Sequence, residues 1–428
     1  MIYTQNQNDE ETKTNFSFSI AEIAIALISY VLGYIYVKFT SVSMLLVLVI
    51  VVGCTEFLNR KKPLTKENVF YTICFAIITI AYSYSIKERF NYIENEIWDE
   101  SMLALFTHGM AIWYVISRSG KLVDGKSSVF FPMDIINGAI SIPFSNLFLR
   151  LKTIISSIAQ SVNNRKENKE RNYWFIPAII ICVVLFVAAA SLLSQSDDTF
   201  GKVINDFLDV FKIEWDLDLI VTIIFSLPVG AYLYGLIVGS YRYEEENLPR
   251  IKTVINDFLS SLKRIPAWFW LVVVSLFSVM YLCYFFLQGS YLFGAFTNTL
   301  PEGFIISQYA VKGFWQLCQI MAVNGAVLYV VTRMADQEAK NNPYFKFACI
   351  FLLIESILFA VIALSKIILY ISVFGFTPKR IQGFWLVTVL MVGCILWIIN
   401  LIKERKTFAY WMYFTIFTLT ATCLYSLL

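Results

Sequence analysis

The sequence predicts an all-α, polytopic transmembrane helical bundle of about eleven membrane-spanning helices, with interfacial amphipathic helices beside them. Three observations predict this fold class. Of the 428 residues, 58% are hydrophobic and only 15% are charged, whereas soluble domains carry about one quarter charged residues. Apolar runs of about 20 residues, the length that crosses a bilayer as a helix, recur along the whole chain. The lipid bilayer is therefore the expected main partner.

Each predicted span is a run of mostly apolar residues, because a helix satisfies its own backbone hydrogen bonds in hydrocarbon. In chain order the runs cover residues 20–37, 43–58, 69–85, 101–117, 174–193, 219–240, 268–287, 314–332, 347–371, 384–401 and 408–427.

The orientation follows from lysine and arginine, which concentrate in cytoplasmic loops. Basic clusters follow the second, fourth, sixth and tenth runs, at residues 60–62, 165–171, 242–252 and 403–406. The connections after the third and fifth runs are acidic instead, at residues 94–100 and 197–218. This pattern predicts a cytoplasmic N-terminus and an outer C-terminus.

We divide the chain into an N-terminal four-helix membrane region (1–135), a cytoplasmic amphipathic segment (136–173) and a seven-helix membrane region (174–428). Within 147–162, apolar residues recur every three or four positions, with Arg150 on another face. That spacing predicts a helix lying in the headgroup plane. The stretches 200–211 and 251–262 have the same pattern. Alternatively, these helices pack on protein and cap the bundle.

A six-residue sequence, Val-Ile-Asn-Asp-Phe-Leu, occurs at 203–208 and again at 254–259. Each copy is followed by a lysine and then by an apolar run that ends in Gly-Ser-Tyr. Consecutive units of one surface helix and one membrane helix point in opposite directions, as in the inverted repeats of many transporters. The alternative is chance similarity in a chain of narrow composition.

Ionisable side chains at membrane depth are the first candidates for function, because their burial is costly. Glu355 and Lys366 share the run 347–371, eleven residues apart, which places them on one helix face about 16 Å from each other. We interpret Glu355 as a proton or cation site and Lys366 as its distant counter-charge or a surface-reaching side chain. His108, the single histidine, is either a proton relay or a hydrogen-bonded structural residue. Glu22 and Glu56 lie near the ends of their runs, which favours structural roles.

Pro228 interrupts the run 219–240 and precedes Gly235 and Gly239. Proline removes a backbone hydrogen bond, and glycines four residues apart permit close helix contact. The combination suits a discontinuous helix at a substrate site, or else a static kink with tight packing.

We expect no metal, no cofactor and no nucleic acid as partners. The eight cysteines stand singly inside apolar runs without metal-ligand spacing, and no His-Glu-x-x-His pattern occurs. The net charge of +3 is too small to predict nucleic-acid binding.

The stretch from Leu300 to Leu317 carries a motif at Leu300, Pro301, Glu302, Gly303, Tyr309, Ala310, Gly313, Phe314, Gln316 and Leu317. It resembles the signature of a bacterial polytopic membrane family, the domain-of-unknown-function family numbered 4173, related to that numbered 4153. Asp198-Thr199-Phe200 is similar to that family's earlier Asp-x-Phe element. Lys312 stands where the signature has arginine. The resemblance covers about residues 170–400, and it implies a multi-helix membrane protein without an assigned activity.

The same stretch predicts an outward-facing mouth, because it lies on the outer side beside the acidic connection 197–218. The candidate mouth residues are Asp197, Asp198, Glu302, Tyr309 and Lys312. Alternatively, the stretch is a surface or re-entrant helix that docks on the acidic connection.

The first functional hypothesis is a transporter, or a protein that handles a lipid or small molecule, with an intramembrane polar site at Glu355, Lys366, His108 and Pro228. Its ligand is then a small molecule, an ion or a lipid. The alternative is a non-enzymatic membrane sensor or assembly partner with an acidic outer surface and a membrane-protein partner. An enzyme is the least favoured class. The expected location is the bacterial cytoplasmic membrane.

Overall fold

The computed structural model describes residues 18–38, 41–87, 98, 100–163, 217–243, 253, 257, 267–289, 292, 294, 296, 306–335 and 340–425. These residues form helices, turns and connections, without a β-strand. Ten of the eleven predicted runs contain a helix, and the run 174–193 lies outside the described residues.

In chain order the described helices are α1 (Ile20–Lys38), α2 (Ser41–Leu58), α3 (Lys66–Lys87), α4 (Glu100–Arg118), α5 (Phe131–Ile136), a π-helical turn (Asn137–Ser141), α6 (Ile142–Ser145), α7 (Leu149–Asn163), α8 (Leu217–Arg242), α9 (Ala267–Leu287), α10 (Ile306–Met334), α11 (Pro343–Phe374), α12 (Pro378–Lys403) and α13 (Phe408–Tyr425).

Seven of the described helices are long and apolar enough to cross a membrane, in α1, α3 and α8 to α12. Their spanning segments are Ile20–Lys38, Lys66–Ser85, Val221–Arg242, Trp268–Leu287, Ala310–Met334, Pro343–Phe374 and Lys379–Lys403. A shorter apolar helix covers Met44–Leu58. The multi-pass helical class follows from these segments. The predicted count of about eleven is not confirmed, and the orientation stays a prediction.

The chain divides into two compact units, Met1–Lys38 with Pro143–Gly239, and Phe39–Ile142 with Ser240–Leu428. This division does not test the three regions expected from the sequence, and their boundaries remain a prediction.

In the first unit, α1 crosses α8 at unusually short range. A Cβ atom on Gly33 would lie 2.2 Å from the carbonyl oxygen of Ser226, and one on Gly230 would lie 2.3 Å from the carbonyl oxygen of Ser29. Because a methyl group cannot fit at either place, both glycines are required for this backbone contact.

α7 packs against α1 in the same unit with a mixed face. Arg150 and Thr153 are buried, whereas the apolar stripe of Leu151, Ile155 and Ile158 stays exposed, as does Phe148 just before the helix. The exposed stripe has the form expected of an interfacial helix, which remains a prediction.

In the second unit, α11 is the central element of an apolar core shared by α9, α10 and α12. Its N-terminus is capped, because the Asn342 side chain accepts a hydrogen bond from the Tyr344 amide and Pro343 occupies the first helical position. It ends at Gly375, whose φ of 79° favours glycine. α11 is therefore a continuous helix of 32 residues whose two ends are both capped.

Candidate functional site

Glu355 lies in the middle of α11 on the face that packs into the core of the second unit. Its side chain is only 4% exposed. Neither carboxylate oxygen has a hydrogen-bond partner among the described residues. A carboxyl group in such surroundings is costly as a bare anion, so it requires a proton, a cation or a rearrangement.

Polar side chains of three helices are buried in this region. Tyr281 of α9 donates a hydrogen bond of 2.6 Å from its hydroxyl to Asn324 Oδ1 of α10. Asn324 Nδ2 in turn donates to Ser356 Oγ of α11 at 2.9 Å. Ser278 of α9 lies close enough to the Glu355 carboxyl to interact, without forming a hydrogen bond of ordinary geometry. We call Ser278, Tyr281, Asn324, Glu355 and Ser356 the Glu355 cluster.

Lys366 lies three turns further along α11 and is completely buried. Its side chain runs along the backbone of Gly313 on α10, where a Cβ would lie 3.1 Å from Nζ and 3.2 Å from Cδ and Cε. Glycine at this position therefore makes the room that the lysine occupies. Lys366 shares the buried face of α11 with Glu355 and belongs to a different layer of the core.

The motif at 300–317 lies partly at this helix contact. Ala310, Gly313, Phe314 and Leu317 form the buried stripe of α10. Phe314 reaches α12, where a Cβ on Gly383 would lie 3.1 Å from Cζ of its ring. These motif positions therefore pack α10 against its neighbours, a role that sequence reasoning missed.

The outer-mouth candidates are only partly described. Asp197, Asp198 and Glu302 lie outside the described residues, as does the side chain of Tyr309. Lys312 is exposed on α10. The mouth stays a prediction. The repeated Val-Ile-Asn-Asp-Phe-Leu segments also fall almost wholly outside the described part of the chain.

His108 lies on α4, which is not one of the three helices that build the Glu355 cluster. Its Nδ1 hydrogen-bonds the Ala104 carbonyl one turn earlier, and its ring contacts the edge of Tyr82 on α3. These contacts favour the structural role for His108.

Pro228 belongs to the first unit, where α8 runs as one continuous helix through it. Arg150 of α7 donates from Nη2 to the Leu227 carbonyl at 3.0 Å, and its guanidinium lies 4.0 Å from the centre of the Tyr30 ring. Burial lowers the pKa of Arg150. The arrangement favours a packed proline site over a discontinuous helix. Gly235 packs on Pro143 of α6 and on Asn146, which follows α6, and Gly239 packs on Asn146.

Glu22 and Glu56 have partners that account for their positions. Glu22 forms a capping box with Ser19 at the start of α1, where the Ser19 amide donates to the carboxylate at 2.7 Å. Glu56 Oε1 accepts from Arg118 Nε at 2.8 Å and from the Tyr114 hydroxyl at 2.7 Å. Both carboxylates anchor helices.

A groove of about 580 Å³ runs beside α11 on a different face from Glu355. It is mostly apolar, and its lining residues are Phe296, Val361, Leu364, Ser365, Ile368, Leu369 and Ser372. Glu355 is not among them. No group of three His, Cys, Asp or Glu side chains suited to a metal ion occurs within the described residues.

Sequence reasoning identified Glu355 but missed Ser278, Tyr281, Asn324 and Ser356. The available signal was a set of hydrogen-bonding side chains inside three otherwise apolar runs, at helical spacing in the case of Ser278 and Tyr281. Such residues are common in membrane helices, and only the packing of α9, α10 and α11 brings these together.

The helices and their apolar segments define a multi-pass, all-helical membrane protein. The family model described as Domain of unknown function (DUF4153) matches residues 46–427, and the chain belongs to this family. The number 4173 expected from the motif at 300–317 was therefore wrong, and its relative 4153 is correct. No curated protein and no solved structure matches the chain.

Proposed function

We propose that this protein is a membrane transporter, or a handler of a small polar molecule or lipid, in which Glu355 takes up and releases a proton or a cation. The observation that carries the proposal is the Glu355 carboxyl itself, 4% exposed and without a hydrogen-bond partner on either oxygen within the described residues. A structural carboxylate would instead be expected to have partners, as Glu22 and Glu56 do.

The surroundings of Glu355 support a site that changes its charge. The Ser278 hydroxyl can donate to the carboxyl, and the Tyr281 oxygen can accept from a protonated carboxyl or bind a cation. The residues around them form an apolar core. Ionisable groups at such depth commonly mark ion pathways and proton relays. Under this proposal the protein lies in the bacterial cytoplasmic membrane with its N-terminus in the cytoplasm, as predicted from the sequence.

The test is transport by the full chain in proteoliposomes that contain a pH-sensitive dye. Salts, amino acids, sugars and lipid precursors are offered one at a time against imposed pH and sodium gradients. At least one solute should change the internal pH or accumulate, and Glu355→Gln should reduce that signal to the level of empty vesicles.

Glu404→Gln is the matched control. Glu404 pairs with Lys346 at the surface, 3.0 Å apart, and its side chain is 76% exposed, so its removal should leave transport unchanged. Wild-type transport by Glu355→Gln protein, or wild-type vesicles that move none of the solutes, would contradict the proposal.

A further inference from the structure

In the hydrogen bonds of the Glu355 cluster, the donor and the acceptor can be told apart. The Tyr281 hydroxyl donates its single proton to Asn324, and the Ser356 hydroxyl donates to the Leu352 carbonyl at 2.9 Å. Neither hydroxyl therefore has a proton left for the Glu355 carboxyl. The Tyr281 ring packs on Phe359, one helical turn beyond Glu355 on α11, which places Tyr281 near the carboxyl, and its oxygen can offer only lone pairs.

The donors near the carboxyl are consequently fewer than the acceptors. Two carboxyl oxygens, the Tyr281 oxygen and the Ser278 oxygen come from α9 and α11, and the Asn324 carbonyl oxygen of α10 accepts from Tyr281 at 2.6 Å. The Ser278 hydroxyl is the one donor left among the cluster hydroxyls. A proton on Glu355 would satisfy one acceptor and leave the others as they are. A cation placed among them interacts with all of them at once.

The chemistry of the set defines the class of cation. Carboxylate, hydroxyl and amide oxygens are ligands for hard cations, whereas soft metals prefer thiolates and imidazoles. The set contains one carboxylate. A single positive charge neutralises it, whereas a divalent ion would leave a net positive charge in apolar surroundings, which is costly.

We propose that Glu355 binds one alkali cation of the sodium class, with the Ser278 and Tyr281 hydroxyl oxygens and the Asn324 carbonyl oxygen as further ligands. This inference rests on the proposed function, since it names the ion that the Glu355 site takes up. The ion links α9, α10 and α11 across the core of the second unit.

The experiment is the thermal melting of the full chain in detergent, followed by tryptophan fluorescence at pH 8 and constant ionic strength. Sodium chloride replaces choline chloride in steps. The melting temperature of the wild type should rise with sodium and saturate, because an ion that binds only the folded state stabilises it.

Three variants locate the ion. Glu355→Gln should melt at the same temperature in both salts, and no lower than the wild type in choline chloride, which shows that it folds. Tyr281→Phe removes a ligand oxygen and keeps the ring that packs on Phe359, so half-saturation should need about tenfold more sodium. Tyr284→Phe, one turn along α9, is the control and should respond like the wild type.

Equal melting of the wild type in sodium and in choline would overturn the inference, as would an unchanged sodium response in Glu355→Gln. The proposed function fails separately. If transport depends on Glu355 while sodium has no effect on melting, the site uses a proton and only the cation is refuted. If sodium stabilises the protein through Glu355 and no solute moves, the cation stands and transport is refuted.

Discussion

Glu56 and Glu355 are two glutamates in apolar helices of the same compact unit, and their surroundings differ completely. Glu56, on α2, bonds Arg118 and Tyr114 of α4. Arg118 also donates to the carbonyl oxygens of Asn59 and Lys62, at 3.1 and 3.2 Å. Glu355, on α11, has no hydrogen-bond partner among the residues described.

The difference separates a carboxylate that holds the fold together from one that is available for chemistry. At Glu56 the attraction of a buried guanidinium offsets the cost of desolvation, and the pair joins α2 to α4. Glu355 has no such partner among the described residues, and a proton or a cation is the partner that we propose for it.

The largest effect is expected from Glu56→Ala. It leaves Arg118, whose side chain is 2% exposed, without its carboxylate, and should lower the free energy of unfolding by about 3 kcal/mol, the lower end for a broken buried pair because Glu56 itself is 34% exposed. Titration with a denaturing detergent measures it. Glu404→Ala, which removes a surface pair, is the control and should cost little. Equal stability of the two variants would remove the contrast with Glu355.

Asp134 is an intermediate case, outside the membrane-spanning segments. Its Oδ1 accepts from the Val123 amide at 2.9 Å, and its buried Oδ2 has no partner within the described part of the chain. Burial raises the pKa of Asp134 to about 6, and the neighbouring Asp124 contributes in the same direction.

A raised pKa means that the folded state binds the proton more tightly than the unfolded state, so stability falls as the pH rises from about 4 to about 7. The advantage of Asp134→Asn over the wild type should therefore grow by about 2 kcal/mol between pH 4.5 and pH 7.5, measured by unfolding at both values. Asp124→Asn should reduce the wild-type pH dependence without abolishing it. A pH-independent difference would show that Asp134 is not destabilised by its charge.

The smallest effect is expected at another buried charge, Lys366. Gly313→Ala places a methyl group 3.1 Å from Nζ, and the flexible lysine must move by a few tenths of an ångström, at a cost of about 1 kcal/mol. Gly325→Ala on the same helix meets open space and should be neutral or stabilising. Melting in detergent compares the two. Equal melting would indicate that Lys366 is not held by Gly313.

Much of the fold could be predicted from hydropathy, because the helices form where apolar residues run for long enough. The run 347–371 lies within α11, and the buried positions of Glu355 and Lys366 agree with the spacing of eleven residues between them. The start of α1 could also be predicted, since Ser19 and Glu22 have the spacing of a capping box. The number of spans was less certain, because α4 and α13 form helices but are not among the seven spanning segments.

Only part of the candidate site could be predicted from the sequence. The sequence identified the acid at 355 but not Tyr281 and Asn324, which supply the neighbouring groups, while His108 and Pro228 lie on other elements. Periodicity placed Arg150 on a different face from the apolar residues of its helix, and the face with Arg150 is the one that packs on protein. Amphipathic periodicity distinguishes faces and does not reveal which one has a protein neighbour.

By itself, the sequence determined that this chain is helical, multi-pass and bound to membranes, since these properties follow from local composition and from backbone hydrogen bonding in hydrocarbon. Only the tertiary structure decided which buried charges are paired. Arg118 reaches Glu56 from 62 residues away and Arg150 reaches Leu227 from 77 residues away, whereas Glu355 meets no such partner in the described residues. Pairing depends on which helices pack together, and that is a property of the whole fold.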